Sequence, residues 1–282
     1  MIYLADCMTI TAEWASQFDC LITDPPYSRH VHGNAVSQSK GGGTRERDFG
    51  FGHLTPKLRR QVAMVASNVK RWSVIYSDVE MANWLRISCE AQGAEYIRTI
   101  PWIRWSMPQL SGTIPPQGCE LVLAFHKQHI GKRGGRKPMG KSWTGPGNLV
   151  ELAQECPEVL RQTCLRGDAK HMAEKPLDQA LELVSWFSKP GEAVLDMFAG
   201  SGVLGLACAL LDRRYIGLEL DPDWVPVAQA REASVTAVND KDLERISRWV
   251  SAPDESPMTE PSKLRKVARD ADKLLVINKV AA

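Results

Sequence analysis

The sequence predicts an α/β fold in which a buried sheet carries helices on both faces. Short apolar runs alternate with longer amphipathic runs along most of the chain, which is the order expected of repeated strand–helix units. Several of the short runs are apolar at every position, as strands are when helices cover both faces of their sheet. The 282 residues, 44% of them hydrophobic, suffice for one large domain or for one domain with a smaller insert.

Each element can be assigned in order from this pattern. The predicted strands are residues 1–4, 20–23, 73–76, 96–105, 120–126, 193–197 and 215–220. The predicted helices are residues 56–69, 79–91, 176–188, 202–211 and 223–233. Pro176 lies in the first turn of one helix and Pro190-Gly191 follows its end, which are typical start and stop signals.

Two stretches interrupt the alternation. Residues 28–53 are rich in Gly, Ser, His and Arg and include Gly41-Gly42-Gly43, so we expect a long mobile loop there. Residues 106–170 form the second stretch, which is interrupted only by the predicted strand 120–126. Loops of such length are usually functional or disordered.

Composition excludes several classes of protein. The net charge is only +2, so a nucleic-acid partner would be held by local basic patches. The seven cysteines include no C-x-x-C pair, and His30, His32 and His53 have no partner set, so we expect neither a disulfide framework nor a metal site. There is no signal-peptide pattern, and glycines interrupt the apolar run 193–211, which favours a strand, a turn and a helix over a membrane span. We expect a cytoplasmic protein.

A glycine turn near the end of the chain has the features of a ligand site. The segment Asp196-Met197-Phe198-Ala199-Gly200-Ser201-Gly202 leads from a strand into a helix. Its glycines let a ligand approach the backbone, and the start of the helix offers N–H donors. The next strand ends in Glu219, whose carboxylate can accept hydrogen bonds from both hydroxyls of a ribose.

This pattern alone leaves the ligand open. Gly200, Gly202 and Gly205 also satisfy G-x-G-x-x-G, and Glu219 follows at nearly the spacing of a dinucleotide site, so a nicotinamide enzyme would look the same. A tight turn without any ligand is a third interpretation. Asp196 favours a ligand with a cationic amino group, because it would repel a pyrophosphate.

A proline turn near the start of the chain indicates the chemistry. Asp24-Pro25-Pro26-Tyr27 follows the apolar strand 20–23. The two prolines fix φ and remove two N–H groups, which leaves an edge that only accepts hydrogen bonds beside a flat aromatic ring. Such an edge suits the exocyclic amine of a nucleobase, although a surface turn with a stacked tyrosine would have the same sequence.

The two turns in this order resemble the β class, the circularly permuted class, of DNA amino-methyltransferases, which modify adenine N6 or cytosine N4. Tyr3-Leu4-Ala5-Asp6-Cys7 resembles the opening strand of that class. Lys175-Pro176 resembles its Thr-x-Lys-Pro segment, with Ala173 where threonine is usual. The resemblance covers roughly residues 1–231, patchily between 28 and 170.

This resemblance implies a seven-stranded Rossmann-like methyltransferase sheet, mostly parallel with one antiparallel strand, and an inserted DNA-recognition region. It implies S-adenosylmethionine as the cofactor and double-stranded DNA as the partner, and a homodimer stays open. The catalytic base pocket would consist of Asp24, Pro25, Pro26 and Tyr27. The cofactor site would consist of Asp6, Cys7, Lys175, Pro176, Asp196, Phe198, Gly200, Ser201, Gly202 and Glu219.

The resemblance also divides the chain. Residues 1–105 would be the catalytic half with the loop 28–53, and 106–170 the target-recognition insert with one core strand at 120–126. Residues 171–233 would be the cofactor half, and 234–282 a partly flexible extension. Basic residues of the first two parts would contact DNA, although a solvated basic loop is an alternative: Arg45, Arg47, Lys132, Arg133, Arg136, Lys137 and Lys141.

The resemblance favours adenine N6 as the target, because serine is the commoner residue at the position of Asp24 in cytosine enzymes. The target base would be flipped out of the duplex. Alternatives are a cytosine N4 enzyme, a nicotinamide enzyme, a DNA-binding protein with a vestigial cofactor fold, and a methyltransferase for RNA or protein. Trp102 and Trp105 are expected to pack in or around the core rather than to form a platform for a base. Such a protein would act in a prokaryotic cytoplasm or be encoded by a phage.

Overall fold

The computed structural model describes residues 1–29, 36–38, 44–46, 52–103, 119–127, 149–150 and 174–234, and its centre is a single sheet. The strands of this sheet are β1 (Ile2–Leu4), β2 (Cys20–Thr23), β5 (Trp72–Ser77), β6 (Ala94–Ile103), β7 (Cys119–Lys127), β8 (Leu149–Val150), β9 (Ala193–Asp196) and β10 (Arg214–Glu219). Two further strands, β3 (Val36–Gln38) and β4 (Thr44–Glu46), pair separately.

The sheet has the order β1-β10-β9-β2-β5-β7-β6-β8. The five strands from β1 to β5 in this order pair in parallel, and β7 runs antiparallel to both of its neighbours. The predicted seven-stranded, mostly parallel sheet with one antiparallel strand is therefore confirmed. The addition is β8, two residues that pair in parallel with β6 at the edge and are too short to produce a sequence pattern.

Helices cover the sheet on both faces. They are α1 (Ala12–Ala15), α2 (Pro56–Asn68), α3 (Val79–Ala91), α4 (Leu177–Phe187), α5 (Val203–Leu210) and α6 (Trp224–Ser234). All five predicted helices are present, and the four-residue α1 was not predicted. Polar caps start α2 and α3, since the Thr55 and Asp78 side chains accept hydrogen bonds from the backbone N–H groups of Leu58 and Met81.

Two apolar cores hold the layers together. On one face, Leu183 and Phe187 of α4 and Ala207 of α5 pack against the sheet in one buried cluster. On the other face, Val62 of α2 and Leu85 of α3 belong to a second cluster. Because helices close both faces, the ends of the strands remain as the place where a ligand can reach the sheet.

Part of the segment 28–53, for which the sequence predicts a long mobile loop, lies within the described residues. Within it, β3 and β4 form an antiparallel pair, with Val36 opposite Glu46 and Gln38 opposite Thr44. Three glycines lie between the two strands in the sequence, and such residues favour a hairpin connection. The run 193–211 contains β9 and α5, as predicted, and no helix in the described ranges is long and apolar enough to cross a membrane.

Candidate active site

A cavity of about 760 Å³ opens at the carboxyl edge of the sheet. Four acidic residues reach it from strand ends: Asp6 after β1, Asp24 after β2, Asp196 at the end of β9 and Glu219 at the end of β10. The cavity lies where β2 and β9 pair, so that residues from the start and the end of the chain face each other. Ligands of open α/β sheets bind at such edges.

The charge of the cavity is acidic. In the described part of the chain, its lining includes six carboxylates against two lysines, namely Asp6, Asp24, Glu174, Asp196, Glu219 and Asp221 against Lys57 and Lys175. Opposite charges attract most strongly where water is excluded. The lining therefore suits a ligand that carries positive charge and is a poor environment for a pyrophosphate.

The glycine turn, residues 196–202, has a backbone that requires glycine. Gly202 caps α5 with a φ of 82°, and a Cβ atom there would lie 2.7 Å from the Cβ of Ala228. The Gly200 N–H donates to Glu219 Oε2 at 2.6 Å. Glu219 thus holds the turn against β10 while it lines the cavity.

Asp196 is buried under the turn and forms its hydrogen bonds within the protein. Its Oδ1 accepts from Thr23 Oγ1 at 2.8 Å and from the Phe198 N–H at 3.1 Å, and its Oδ2 accepts from the Tyr215 hydroxyl at 3.0 Å. Burial raises the pKa of Asp196 to about 7, although these hydrogen bonds oppose the shift. This carboxyl therefore joins β2, β9 and β10 beneath the cavity.

A buried ion pair braces the same turn from α6. Arg231 Nη2 donates to both carboxylate oxygens of Glu174, at 3.0 and 3.1 Å. Its Nη1 donates to the Ser201 carbonyl oxygen at 2.9 Å, and the Ser201 hydroxyl donates to Glu174 at 2.8 Å. Arg231 therefore connects the glycine turn to the segment that contains Lys175.

The proline turn, residues 24–27, forms the opposite side of the cavity. Asp24 Oδ2 lies 3.0 Å from Lys175 Nζ, whereas Oδ1 is buried and has no hydrogen-bond partner among the described residues. Lys175 Nζ also donates to the Tyr27 hydroxyl at 2.9 Å and to Glu120 Oε2 at 3.3 Å. The Tyr27 hydroxyl donates to that same Glu120 oxygen. We call Asp24, Tyr27, Glu120 and Lys175 the charged cluster.

Burial and charge act against each other in this cluster. Burial raises the pKa of Asp24, the Lys175 ammonium lowers it, and the Glu120 carboxylate raises it further. For Lys175, burial lowers the pKa, but Asp24 and Glu120 outweigh burial and the net shift is upward. Lys175 is therefore held as an ammonium ion between two carboxyl groups.

Aromatic rings surround this ammonium ion. Its Nζ lies 4.7 Å from the ring centre of Tyr27, 5.2 Å from that of Tyr76 and 5.8 Å from that of Trp102. Cations are stabilised over aromatic faces at such distances. Trp102 is buried, as expected of a packing residue, while Trp105 lies outside the described residues.

The structure brings most of the predicted site residues to one cavity. Its lining includes all four residues predicted for catalysis and eight of those predicted for the cofactor, namely Asp6, Cys7, Lys175, Asp196, Phe198, Gly200, Ser201 and Glu219. Pro176 and Gly202 are helix caps next to it. Lys175 was predicted for the cofactor, yet its ammonium contacts the proline turn.

Other residues of the site were not predicted. Glu120, Glu174, Tyr76 and Arg231 each contact a predicted residue or line the cavity. In the sequence, Glu120 and Tyr76 are each a polar group near one end of an apolar strand, but this pattern does not tell which end of the strand lies at the cavity. Of the predicted DNA contacts, only the backbone of Arg45 is described, in β4, and the others fall outside the described residues. Within the described ranges, no cluster of His, Cys, Asp and Glu could hold a metal ion.

Comparison with known proteins assigns the family. Residues 18–230 match the N6/N4 DNA methylase family. The chain is 41% identical over 61 residues to the type II methyltransferase M.Cfr9I of Citrobacter freundii, covering 22% of this chain and 20% of that protein. It is 32% identical over 84 residues to M2.MboI of Moraxella bovis, covering 29% and 31%. The matches thus span less than a third of the length of these curated relatives.

Solved structures share the fold. The M1.HpyAVI–SAM complex superposes with a TM-score of 0.54 at 24% identity, over 82% of this chain and 98% of that one. The cytosine-N4-specific PvuII DNA methyltransferase superposes with a TM-score of 0.58 at 14% identity, over 90% and 93%. Because the family match covers most of the chain, this protein belongs to the N6/N4 DNA methylase family.

Proposed function

We propose that this protein transfers a methyl group from S-adenosylmethionine to the exocyclic amine of a base flipped out of duplex DNA, and that the base is adenine. The observation that carries the proposal is Asp24 Oδ1, a buried acceptor that has no donor in the described part of the chain and lies in a cavity that also contains the glycine turn. A buried acceptor without a donor is costly, and a substrate amine would supply the donor.

The cavity residues fit S-adenosylmethionine. The cofactor carries positive charge on its sulfonium and amino groups, and six carboxylates of the described residues line the cavity. The glycine turn has no side chain at Gly200 to block an approaching ligand. Glu219 and Asp6, at the ends of β10 and β1, are the proposed acceptors for the ribose and the adenine. The bound cofactor supplies an electrophilic methyl group.

The chain's own residues would activate the amine. The lone pair of an exocyclic amine is delocalised into the ring, so the nitrogen is a weak nucleophile. A hydrogen bond from the amine to Asp24 favours a pyramidal nitrogen, and the carboxylate stabilises the positive charge that develops there. As the nitrogen–methyl bond forms and the carbon–sulfur bond breaks, the nitrogen loses a proton, which Asp24 can accept.

Support for adenine comes from Asp24 itself, because serine is commoner there in the cytosine enzymes that the chain resembles. Methylation of cytosine N4 is the second candidate, on the same geometry. Mass spectrometry of nucleosides from DNA treated with the protein separates them. We expect N6-methyladenine, and N4-methylcytosine alone would overturn the choice of adenine.

Contacts to DNA are proposed for the basic residues predicted above. Replacing Lys132, Arg133 and Arg136 together by glutamine should weaken binding to all DNA sequences and reduce the slope of affinity against salt concentration by about 2–3. A salt titration by fluorescence anisotropy measures this. An unchanged slope would assign the phosphate contacts to other residues.

The decisive test of the function is expression in a bacterial host that lacks DNA methyltransferases. Long-read sequencing of its DNA should detect methylated bases in one sequence context, and Asp24→Asn should abolish the signal. Glu90→Gln, a change on the exposed surface of α3, is the matched control and should leave the signal intact. DNA without any modification in cells that contain folded wild-type protein would contradict the proposal.

A further inference from the structure

One member of the charged cluster, Glu120, belongs neither to the proline turn nor to the predicted segment that contains Lys175. Glu120, at the start of β7, shares the Lys175 ammonium with Asp24, at distances of 3.3 and 3.0 Å. The Tyr27 hydroxyl accepts from Lys175 and donates to Glu120. Because Tyr27 and Asp24 belong to the same turn, these contacts connect all four residues of the charged cluster in a closed loop.

The direction of β7 explains how Glu120 reaches the other residues of the charged cluster. β7 is antiparallel to its neighbours, so its first residues lie at the edge where the parallel strands end. Glu120 pairs in register with Trp102 of β6, whose ring lies 5.8 Å from the Lys175 ammonium. The sheet therefore fixes the position of Glu120 relative to the ring of Trp102.

Stability alone does not account for a second carboxylate here. The side chains of Lys175 and Glu120 are only 14% and 13% exposed, and Asp24 already supplies one opposite charge for the ammonium. Adding another partly buried carboxylate requires further desolvation and places two negative groups close together. Such arrangements are typical of functional sites.

We propose that Glu120 is a positioning residue for the methyl transfer. It holds Lys175 and Tyr27 beside Asp24, with Lys175 on Oδ2, so that Oδ1, which has no hydrogen-bond partner among the described residues, serves the substrate amine. This inference rests on the proposed function, because the amine is the group that Asp24 receives.

The same contacts set how readily Asp24 accepts the proton that the methylated nitrogen loses. Lys175 before α4 and Glu120 of β7 act on the pKa of Asp24 through their charges, and the Tyr27 hydroxyl of the same turn lowers it. Asp196 of β9 also interacts with Asp24 through charge. Lys175 lowers the pKa of Asp24, whereas Glu120 raises it. Without the charge of Glu120, the ammonium would act on Asp24 alone, and Asp24 would be a weaker proton acceptor.

The first test measures this balance without DNA or cofactor. The pKa of Asp24 is measured by carbon-13 NMR of aspartate-labelled protein, with Asp24→Asn identifying the signal. Glu120→Gln keeps the size of the side chain and removes its charge, so the pKa of Asp24 should fall. Glu90→Gln should leave it unchanged. An Asp24 pKa that is the same in Glu120→Gln and wild type would overturn the proposal.

The second test measures catalysis on duplex DNA that wild-type protein methylates. Glu120→Gln should lower kcat about 10²-fold, as removal of a group that supports acid–base chemistry does, while KM for DNA changes by no more than roughly twofold. Glu120→Asp keeps the charge and should recover part of the rate. A rise in KM at constant kcat would show that Glu120 only shapes the pocket.

The two tests separate failure of this inference from failure of the proposed function. If wild-type protein methylates no DNA, the proposed function fails, and the NMR titration still decides whether Glu120 acts on Asp24. If Glu120→Gln does not fold, Glu120→Asp takes its place in the titration. It retracts the charge by one methylene and should lower the pKa of Asp24 by a smaller amount.

Discussion

The two sides of the cavity are built in different ways. The glycine turn and Glu219 come from one short stretch of chain, and their contacts are largely made by backbone N–H groups. The charged cluster is assembled from three distant segments, and its contacts are made by charged side chains. The first side therefore depends on backbone conformation and the second on charge. Mutations should separate cofactor binding from the rate of transfer.

The largest effect is expected for Asp24→Asn. It removes the carboxylate that accepts the amine proton and stabilises the developing charge, so methyl transfer should fall by about 10²–10⁴-fold. Affinity for S-adenosylmethionine should change by no more than roughly threefold, because the glycine turn is untouched. Radioactive methyl transfer and calorimetry measure the two quantities. An equal loss of both would mean that the two sides do not act separately.

The next largest effect is expected for Arg231, which connects the glycine turn to the segment that contains Lys175. Arg231→Met leaves Glu174 buried without its partner, and breaking such a pair typically costs about 3–5 kcal/mol of the free energy of unfolding. Urea denaturation measures this loss. Arg86→Met, in the exposed pair with Glu90, is the control and should cost about 0–1 kcal/mol. If both variants lose equally little, Arg231 is not the brace that its contacts suggest.

The same contrast explains what sequence reasoning could find. The glycine turn and the proline turn are local patterns, each a strand followed by residues with special backbone geometry, and both were recognised. Glu120 was missed because its place depends on the direction of β7, which no local pattern records. Arg231 was missed because a buried arginine near the end of an amphipathic helix resembles a solvated one in sequence.

Lys175 shows a different limit. Its segment was recognised through the resemblance and predicted for the cofactor, but the direction of its side chain follows from packing. Two carboxylates and three aromatic rings draw the ammonium toward the proline turn. Residue type and position in the chain identify such a site more readily than they identify the partner of each side chain.

Gly202→Ala tests the side of the cavity that the glycine turn forms, and its expected effect is intermediate. The new Cβ would clash with Ala228 and would occupy a left-handed conformation, at a typical cost of about 1–3 kcal/mol. Affinity for S-adenosylmethionine should therefore fall by about 10–100-fold, with little further change in the rate at saturation. Gly191→Ala is the matched control, since its φ is also positive, at 77°, but no atom lies within 4 Å of its Cβ position. Equal effects of the two variants on cofactor binding would exclude the contact with Ala228 as the cause.

The smallest expected effect is the pH dependence of stability through Asp196, which interacts with Asp24 across the cavity. Burial raises the pKa of Asp196 to about 7, so the folded protein holds this proton more tightly than the unfolded chain does. The stabilisation by the neutral acid is complete below the unfolded pKa and is lost as the pH rises through about 7. Asp196→Asn mimics the neutral acid, and the Tyr215 hydroxyl can reverse its hydrogen bond to suit the amide. Between pH 5 and pH 7, wild-type protein should therefore lose about 1–2 kcal/mol of unfolding free energy relative to Asp196→Asn.

Urea denaturation at several pH values measures this difference. Asp24 contributes to the upward shift of the Asp196 pKa through its negative charge. The pH-dependent loss should therefore be smaller when both proteins also carry Asp24→Asn, because the charge of Asp24 then no longer raises the pKa of Asp196. Parallel stability curves for wild type and Asp196→Asn would show that Asp196 is already ionised at pH 5. A loss that does not depend on Asp24 would show that the charges of the two sides of the cavity do not interact.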